Sequence, residues 1–433
     1  MTEAETVVTG PDYVRRLRAQ FAKRAAADQF VPAWAQPRSA GGEDDGDEEA
    51  EDDAAPSHDT AMAGGLLQAP VALLPGRLNV TRVRDANRAD PSKAVIQAQG
   101  WHRDGGVLFT AGLDKTLRFF AVDGRKNPKV VSVHFDDLPI ASAGWTGDGA
   151  EVIVTGRRPF FYAYDVEAGA AQRIPRIAGI DDRSLESALV SPPWWLGGGG
   201  LIAVLCSGGY VALLSARTKQ RVGGVKTGAG TVRAAAWSCA PGNPGAPELL
   251  TTGDAGDVYR WDLRTMTCAG RLADEGSTGG TALAASSDGT RWAVGSRMGV
   301  VNVYDAAAAA SGAPSHLGAA DAAAGAVSVR ALFSGGTGAA AAPLHTSLAL
   351  TTGVDSLAFS SDGALLAMAS KRVPDALRVM HVGAGTVYAN WPTARTPLHA
   401  VSTAAFSPHS GYLSVGNDRG RVLLYRLNHY TEA

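Results

Sequence analysis

The sequence predicts an all-β protein, a seven-bladed β-propeller, on three observations: a recurring phrase, the spacing of its aromatic position, and a glycine content suited to tight turns. The phrase occurs as GLDKTLRFFAVDG (112–124), GDAGDVYRWDLR (253–264), GSRMGVVNVYD (295–305) and GNDRGRVLLYRL (416–427). Each copy runs glycine, polar turn, alternating apolar strand, aromatic residue and usually Asp. A preceding strand and turn, as in VDSLAFSSDGALLAMAS (354–370) and VSTAAFSPHSGYLSVGN (401–417), complete a unit of the WD-repeat type. Glycine contributes 52 residues, about 12% against an ordinary ~7%.

The spacing gives the number of blades. The aromatic position falls at Phe120, Tyr164, Leu214, Trp261, Tyr304, Met380 and Tyr425, at intervals of 44, 50, 47, 43, 76 and 45 residues. A four-stranded blade needs ~40–45 residues. The long interval holds AAAAASGAPSHLGAADAAAGA (306–326) and a Gly/Ala run to Ala342. Having almost no large apolar residue, the stretch 306–342 cannot supply a core layer and reads as a low-complexity insertion. A ring of blades also escapes the size limit of a single core, because each blade packs only on its neighbours.

The elements follow in order. Residues 1–75 form an N-terminal extension, expected to be largely disordered with one short helix. In DYVRRLRAQFAKRAAAD (12–28), Val14, Leu17 and Phe21 share one helical face and Asp12 suits the N-cap. A helix this short does not stand alone in water, so it reads as a docking peptide, extended by Phe30 and Trp34 in FVPAWA (30–35). EDDGDEEAEDD (43–53) is an acidic linker with nine carboxylates; the rest of the chain then holds 40 basic against 33 acidic side chains. Charge alone favours reading the run as a solvated linker; the sharper reading is a basic body working in an anionic, RNA-rich setting. The propeller spans 76–427. RLNVTRVR (77–84) precedes the first repeat and is expected to complete the last blade as its outer strand, closing an edge that would otherwise invite pairing with other chains. Residues 428–433 are a short tail.

Several chemistries are excluded. GGGG (197–200) lacks the Lys-Ser/Thr of a phosphate-binding loop and reads as a hairpin. His102, His134, His345, His381, His399 and His409 form no HxxxH pair, and GxSxG is missing. Asp274-Glu275 imitates a carboxylate pair, but neighbours on an extended strand point to opposite faces. Cys206, Cys239 and Cys268 lack CxxC spacing and read as buried, reduced residues. No run of 18 apolar residues exists, and no apolar stretch of the secretory type follows the start. The expectation is a binding protein: no enzyme, no catalytic residue, no cofactor, no metal, no membrane and no small-molecule substrate.

Many WD repeats carry a structural Asp in the hairpin before the aromatic strand, bonded to a His and a Ser or Thr. Here that position is Asp114 in the first blade but Arg158, Ala255, Met298 and Arg419 elsewhere. Such degenerate repeats must rest mainly on apolar packing, at roughly 1.5–3 kcal/mol per buried Val, Leu or Phe.

GLDKTLRFFAVDGRKNPKV (112–130), LPIASAGWTGDGAEVIVTGRRPFFYAYD (138–165), CAGRLADEG (268–276) and WAVGSRMGVVNVYD (292–305) resemble the U3 small nucleolar RNA-associated protein 18 family. So do LTTGVDSLAFSSDGALLAMASKRVPDALRVMH (350–381), VYANWPT (387–393), VSTAAFSPHSGYLSVGNDRGRVLLYRLNHY (401–430) and DYVRRLRAQF with PAWA. NWPT, the DGRKNPK insertion and RLNHY are not features of WD repeats in general. The resemblance implies a nucleolar, non-catalytic scaffold of the small-subunit processome that supports pre-rRNA cleavage and 18S rRNA maturation. Its implied partners are other processome proteins, and the U3 snoRNP and pre-rRNA directly or through them.

Departures from the repeat mark candidate RNA or partner contacts, since folding does not require them. DGRKNPK (123–129) is read as a connection between blades that presents Arg125, Lys126 and Lys129. Arg157 and Arg158 fill a hairpin that normally holds a small turn residue, with Lys371, Arg372 and Arg419 in equivalent places. Basic loops gathered on one face would hold phosphates. The alternative is a substrate receptor of a cullin-RING ubiquitin ligase, on the WDxR box Trp261-Asp262-Leu263-Arg264. A G-protein-β-like module would need an N-terminal coiled coil, and no sustained heptads occur.

Overall fold

The computed structural model describes residues 73–430 apart from 181, 193–199, 229, 241–242, 312–341 and 394–395. The docking-peptide residues Val14, Leu17, Phe21, Phe30 and Trp34, the acidic linker, most of the insertion and the end of the tail lie outside the described residues.

Seven four-stranded antiparallel sheets form the blades. After a first short strand, β1 (Val80–Arg82), blade one comprises β2 (Ile96–Trp101), β3 (Val107–Gly112), β4 (Thr116–Ala121) and β5 (Lys129–His134). Blade two has β6 (Ile140–Trp145), β7 (Glu151–Gly156), β8 (Phe161–Asp165) and β9 (Ala170–Ile174). Blade three has β10 (Ser187–Val190), β11 (Leu201–Leu205), β12 (Tyr210–Ser215) and β13 (Arg221–Lys226). Blade four has β14 (Val232–Ala240), β15 (Asn243–Gly253), β16 (Asp257–Asp262) and β17 (Thr267–Ala273). Blade five has β18 (Gly280–Ala285), β19 (Arg291–Ser296), β20 (Val301–Asp305) and β21 (His345–Ser347). Blade six has β22 (Ser356–Phe359), β23 (Leu365–Ala369), β24 (Leu377–His381) and β25 (Thr386–Val387). Blade seven has β26 (Val401–Phe406), β27 (Tyr412–Asn417) and β28 (Val422–Leu427), with β1 as its outer strand.

The aromatic period read from the sequence is the buried third strand of every blade. Each of its residues faces an apolar residue of the second strand in the same register: Leu108 opposite Phe120, Val152 opposite Tyr164, Ile202 opposite Leu214, Leu249 opposite Trp261, Trp292 opposite Tyr304, Leu366 opposite Met380 and Leu413 opposite Tyr425. All fourteen are buried. First strands carry small residues, as in IASAGW of β6 and VRAAAW of β14, because strands nearest the axis crowd one another. At Gly100 in β2 a Cβ would stand 2.6 Å from the Phe109 ring. The fourth strands face solvent: every residue of β5 is exposed except the half-buried Val133.

One apolar cluster fills each seam between neighbouring blades. The seams differ in depth. Among the described residues, sixteen buried side chains join blades six and seven, but only six (Ala86, Ile96, Trp101, Leu108, Val422 and Leu424) join blades seven and one. Polar contacts reinforce that thin closing seam. Gln99 Nε2 donates to Ser414 O at 2.9 Å, and Trp101 Nε1 donates to Ser414 Oγ at 3.0 Å. The expected closing strand is present: Val80, Thr81 and Arg82 pair with Leu427, Arg426 and Tyr425.

Three details depart from the sequence reading. DGRKNPK joins β4 to β5 within one blade rather than linking two blades, because β5 belongs to the sheet of β2–β4. Cys206 and Cys239 are buried but Cys268 is exposed. The run 306–342 opens with a short helix, α1 (Ala306–Ser311), whose Ala306 and Ala309 are buried against the cluster containing Trp292 and Tyr304.

Candidate partner and nucleic-acid interface

Antiparallel blades sort their connections onto two ends of the ring. Hairpins between second and third strands, and links between blades, lie at one end; hairpins between first and second or third and fourth strands lie at the other. Arg157, Arg158, Lys371, Arg372 and Arg419 all occupy second-to-third hairpins and share the first end. Arg125 and Lys126, between β4 and β5, belong to the opposite end, with Lys129 opening β5. The candidate set is therefore split, and a single basic face holding all of it is excluded by the topology.

Lys371 and Arg372 lie in a cavity of about 430 Å³ shared by blades four, five and six. It is also lined by Arg233, Arg297, Thr281 and Asp355. Asp254 sits between two of these cations, 3.0 Å from Arg233 Nε and 2.9 Å from Arg297 Nη2. The hydroxyl of Thr231 donates to the same carboxylate, and this bond with the Arg233 contact holds Asp254 below the usual carboxylate range. Lys371 Nζ is 3.4 Å from Asp355, while Arg372 forms no ion pair among the described residues. Four cations thus meet two carboxylates, leaving net positive charge. Arg233 and Arg297 were missed by the sequence reading. Arg233 lies on a first strand, where no departure from the repeat marks it, and Arg297 stands one residue before the aligned Met298.

The hairpin carboxylate role expected of WD repeats survives in altered form. Asp114 Oδ2 accepts from Ser92 Oγ at 2.8 Å and from Arg118 Nη1 at 2.6 Å, so arginine takes the place expected of histidine. In blade four the aligned residue is Ala255, but Asp254 beside it supplies the carboxylate. Asp274, half of the apparent carboxylate pair, is buried and accepts from Tyr304 Oη at 2.7 Å and Asn302 Nδ2 at 2.9 Å. Burial raises its pKa, and those donors oppose the shift.

The other candidate loop is tightly built. Asp123 Oδ1 accepts the backbone N–H of Arg125 at 2.9 Å, Lys126 at 2.7 Å and Asn127 at 2.9 Å. These donors, led by Asn127, bring Asp123 down to about 2. Asn127 is fully buried, and its Nδ2 donates to Arg84 O at 3.0 Å, fastening the loop to blade seven. Arg125 and Lys126 remain exposed and without an ion pair among the described residues, whereas Lys129 Nζ lies 2.9 Å from Asp90. Arg157 Nε is 3.3 Å from Glu186, and Arg158 Nε donates to Asp137 O at 3.3 Å. Arg419 is exposed at the tip of the β27–β28 hairpin. In the WDxR segment Trp261 is buried, and Asp262 caps its own turn by accepting from Arg264 N at 2.9 Å and Thr265 Oγ1 at 3.0 Å.

No family model matches the chain. It is 35% identical to the U3 small nucleolar RNA-associated protein 18 homolog of Arabidopsis thaliana, covering 100% of this chain and 72% of that protein. It is 30% identical to the probable U3 small nucleolar RNA-associated protein 18 of Schizosaccharomyces pombe, covering 99% of this chain and 76% of that one. The Mus musculus homolog is 31% identical over 85% of this chain, which spans 60% of the mouse protein's length.

Proposed function

The chain belongs to the U3 small nucleolar RNA-associated protein 18 family, whose names point to the U3 snoRNP and ribosome biogenesis, and on that premise we propose that it is a non-catalytic scaffold of the small-subunit processome. In this reading it works in the nucleolus, joins other processome proteins, and supports the cleavages that mature 18S rRNA. The observation that carries the reading is the similarity over the whole chain to the plant and fission-yeast relatives. The fold supports it physically. A closed ring of blades holds many hairpin tips at fixed positions, so several partners can be organised with little ordering entropy.

The exposed cations Arg125, Lys126, Arg157, Arg158, Lys371, Arg372 and Arg419, with Lys129, serve in this reading as contacts to RNA or acidic partners on two ends of the ring. The extension 1–75 serves as a tether and docking segment. Depletion of the protein should lower 18S rRNA and leave large-subunit rRNA unchanged, with 5′-unprocessed precursor accumulating on RNA blots. Normal precursor ratios after full depletion would overturn the reading and favour the ligase-receptor alternative.

A further inference from the structure

The closing seam carries a second basic site that the repeat pattern does not mark. A trough of about 640 Å³ runs where the chain leaves β1 and crosses from blade seven to blade one. Arg82, Arg84, Arg88 and Arg421 line it, with Asp85 as the carboxylate among its lining residues. Asp85 is engaged by Arg82 at 3.3 Å. Arg84, Arg88 and Arg421 are exposed and form no ion pair among the described residues. Three like charges facing one concavity repel, and an anion placed among them relieves that repulsion.

The backbone that carries these arginines is held from several sides. Beyond β1 the chain continues along β28, with Val83 N donating to Leu424 O at 3.0 Å and Ala86 N to Val422 O at 2.8 Å. Asn87 is fully buried; its Nδ2 donates to Gly420 O at 2.7 Å and its Oδ1 accepts from Val422 N at 2.9 Å. Gly420 has φ +72°, and a Cβ there would stand 2.1 Å from Ser92 O, so this close approach requires glycine. Asn127 clamps the Arg84 carbonyl from blade one. The backbone positions that project these arginines are thus fixed relative to one another, which lowers part of the ordering cost of binding.

We infer that this trough is a binding site for the phosphodiester backbone of RNA, read by charge and not by base. The chemistry selects that ligand. Arginine forks match phosphate oxygens in bidentate geometry. No aromatic side chain lines the trough, so it offers no platform for stacking bases. None of the exposed large apolar residues lies in its lining, so it lacks the anchors by which a peptide is held. The inference rests on the RNA-scaffold reading for its setting, while its test is independent of rRNA processing.

The test titrates the full chain into fluorescein-labelled oligouridylate across a series of salt concentrations, for the native protein and for R84Q/R88Q/R421Q. Each phosphate contact adds about 0.7 to the slope of log K against log salt for a single strand, so the triple variant should lose about 2 from that slope and bind more weakly. The thermal transition of both proteins is recorded alongside. If the triple variant melts early, R88Q and R421Q alone should each lower the slope by about 0.7. An unchanged slope and affinity in a folded variant overturns the site. Tighter binding of an oligoglutamate peptide of equal charge overturns the choice of RNA over an acidic protein. Either failure leaves the depletion phenotype standing.

Discussion

Asn390 holds the backbone of Leu78 with both ends of its side-chain amide. Leu78 N donates to Asn390 Oδ1 at 3.0 Å, and Asn390 Nδ2 donates to Leu78 O at 2.7 Å. The pair joins residues 312 positions apart and fastens the segment entering β1 to blade six. Asn428 works on the same strand, donating to Asn79 Oδ1 at 3.0 Å and Thr81 Oγ1 at 2.8 Å. Asn390 lies in the ANWPT run and Asn428 in RLNHY, two of the phrases that carry the family resemblance. Both residues hold the closing strand in place, Asn390 from the side of blade six and Asn428 from within blade seven.

Replacing Asn390 with Ala should therefore weaken closure. Two hydrogen bonds at about 1 kcal/mol each are lost, so urea unfolding should shift to lower concentration by an amount equivalent to ~1–2 kcal/mol. Asn390→Asp keeps the acceptor for Leu78 N but sets a carboxylate oxygen against Leu78 O, so it should also be less stable than the native protein. Equal stability of all three proteins would show that the clamp is idle.

Asp274 predicts a pH dependence of defined sign. Its folded-state pKa is raised, by burial first, above the unfolded value near 3.8. The native state then binds the proton more tightly than the unfolded chain, so this group's contribution to stability grows as pH falls through the folded pKa and levels off below 3.8. Asp274→Asn removes the titration. The stability of the native protein relative to this variant should rise between neutral pH and about pH 4 in urea titrations. A relative loss over that window would contradict the burial argument.

Removing the insertion should separate its two parts. Deleting 312–341 with a short Gly-Ser join is expected to leave the melting temperature nearly unchanged, because closure entropy varies slowly with loop length. Extending the deletion through Ala306–Ser311 should lower it, since Ala306 and Ala309 are buried against the core containing Trp292 and Tyr304. Loss of cooperative unfolding in the shorter deletion would mean that the segment belongs to a blade.

The extension can be tested apart from the ring. Changing Phe21 and Trp34 to Ala should reduce incorporation into a large particle on a gradient, since aromatic anchors typically cost about 2 kcal/mol or more when truncated. The melting transition of the propeller should not move. Normal sedimentation, or an earlier transition, would refute the docking role of residues 12–35.

The number of blades and the buried aromatic position were legible in the chain because both rest on local pattern, whereas the closing strand followed from an edge that must be paired. Alternation within a strand and a fixed interval between aromatic positions are one-dimensional quantities, and the register they imply recurs in all seven sheets. Spatial grouping of charge was not legible. Arg125 and Arg157 look equivalent as departures from a repeat, yet antiparallel connection order sends them to opposite ends of the ring. Arg84, Arg88 and Arg421 look unrelated, with more than three hundred positions between the first two and the third. Ring closure folds the start of the propeller against its last hairpin and brings them into one trough. Sequence alone determined the repeating unit and its count, since these follow from periodic burial along a strand. Which side chains share a site was decided only when the first and last elements met, because that contact depends on closure of the ring and leaves no period in the sequence.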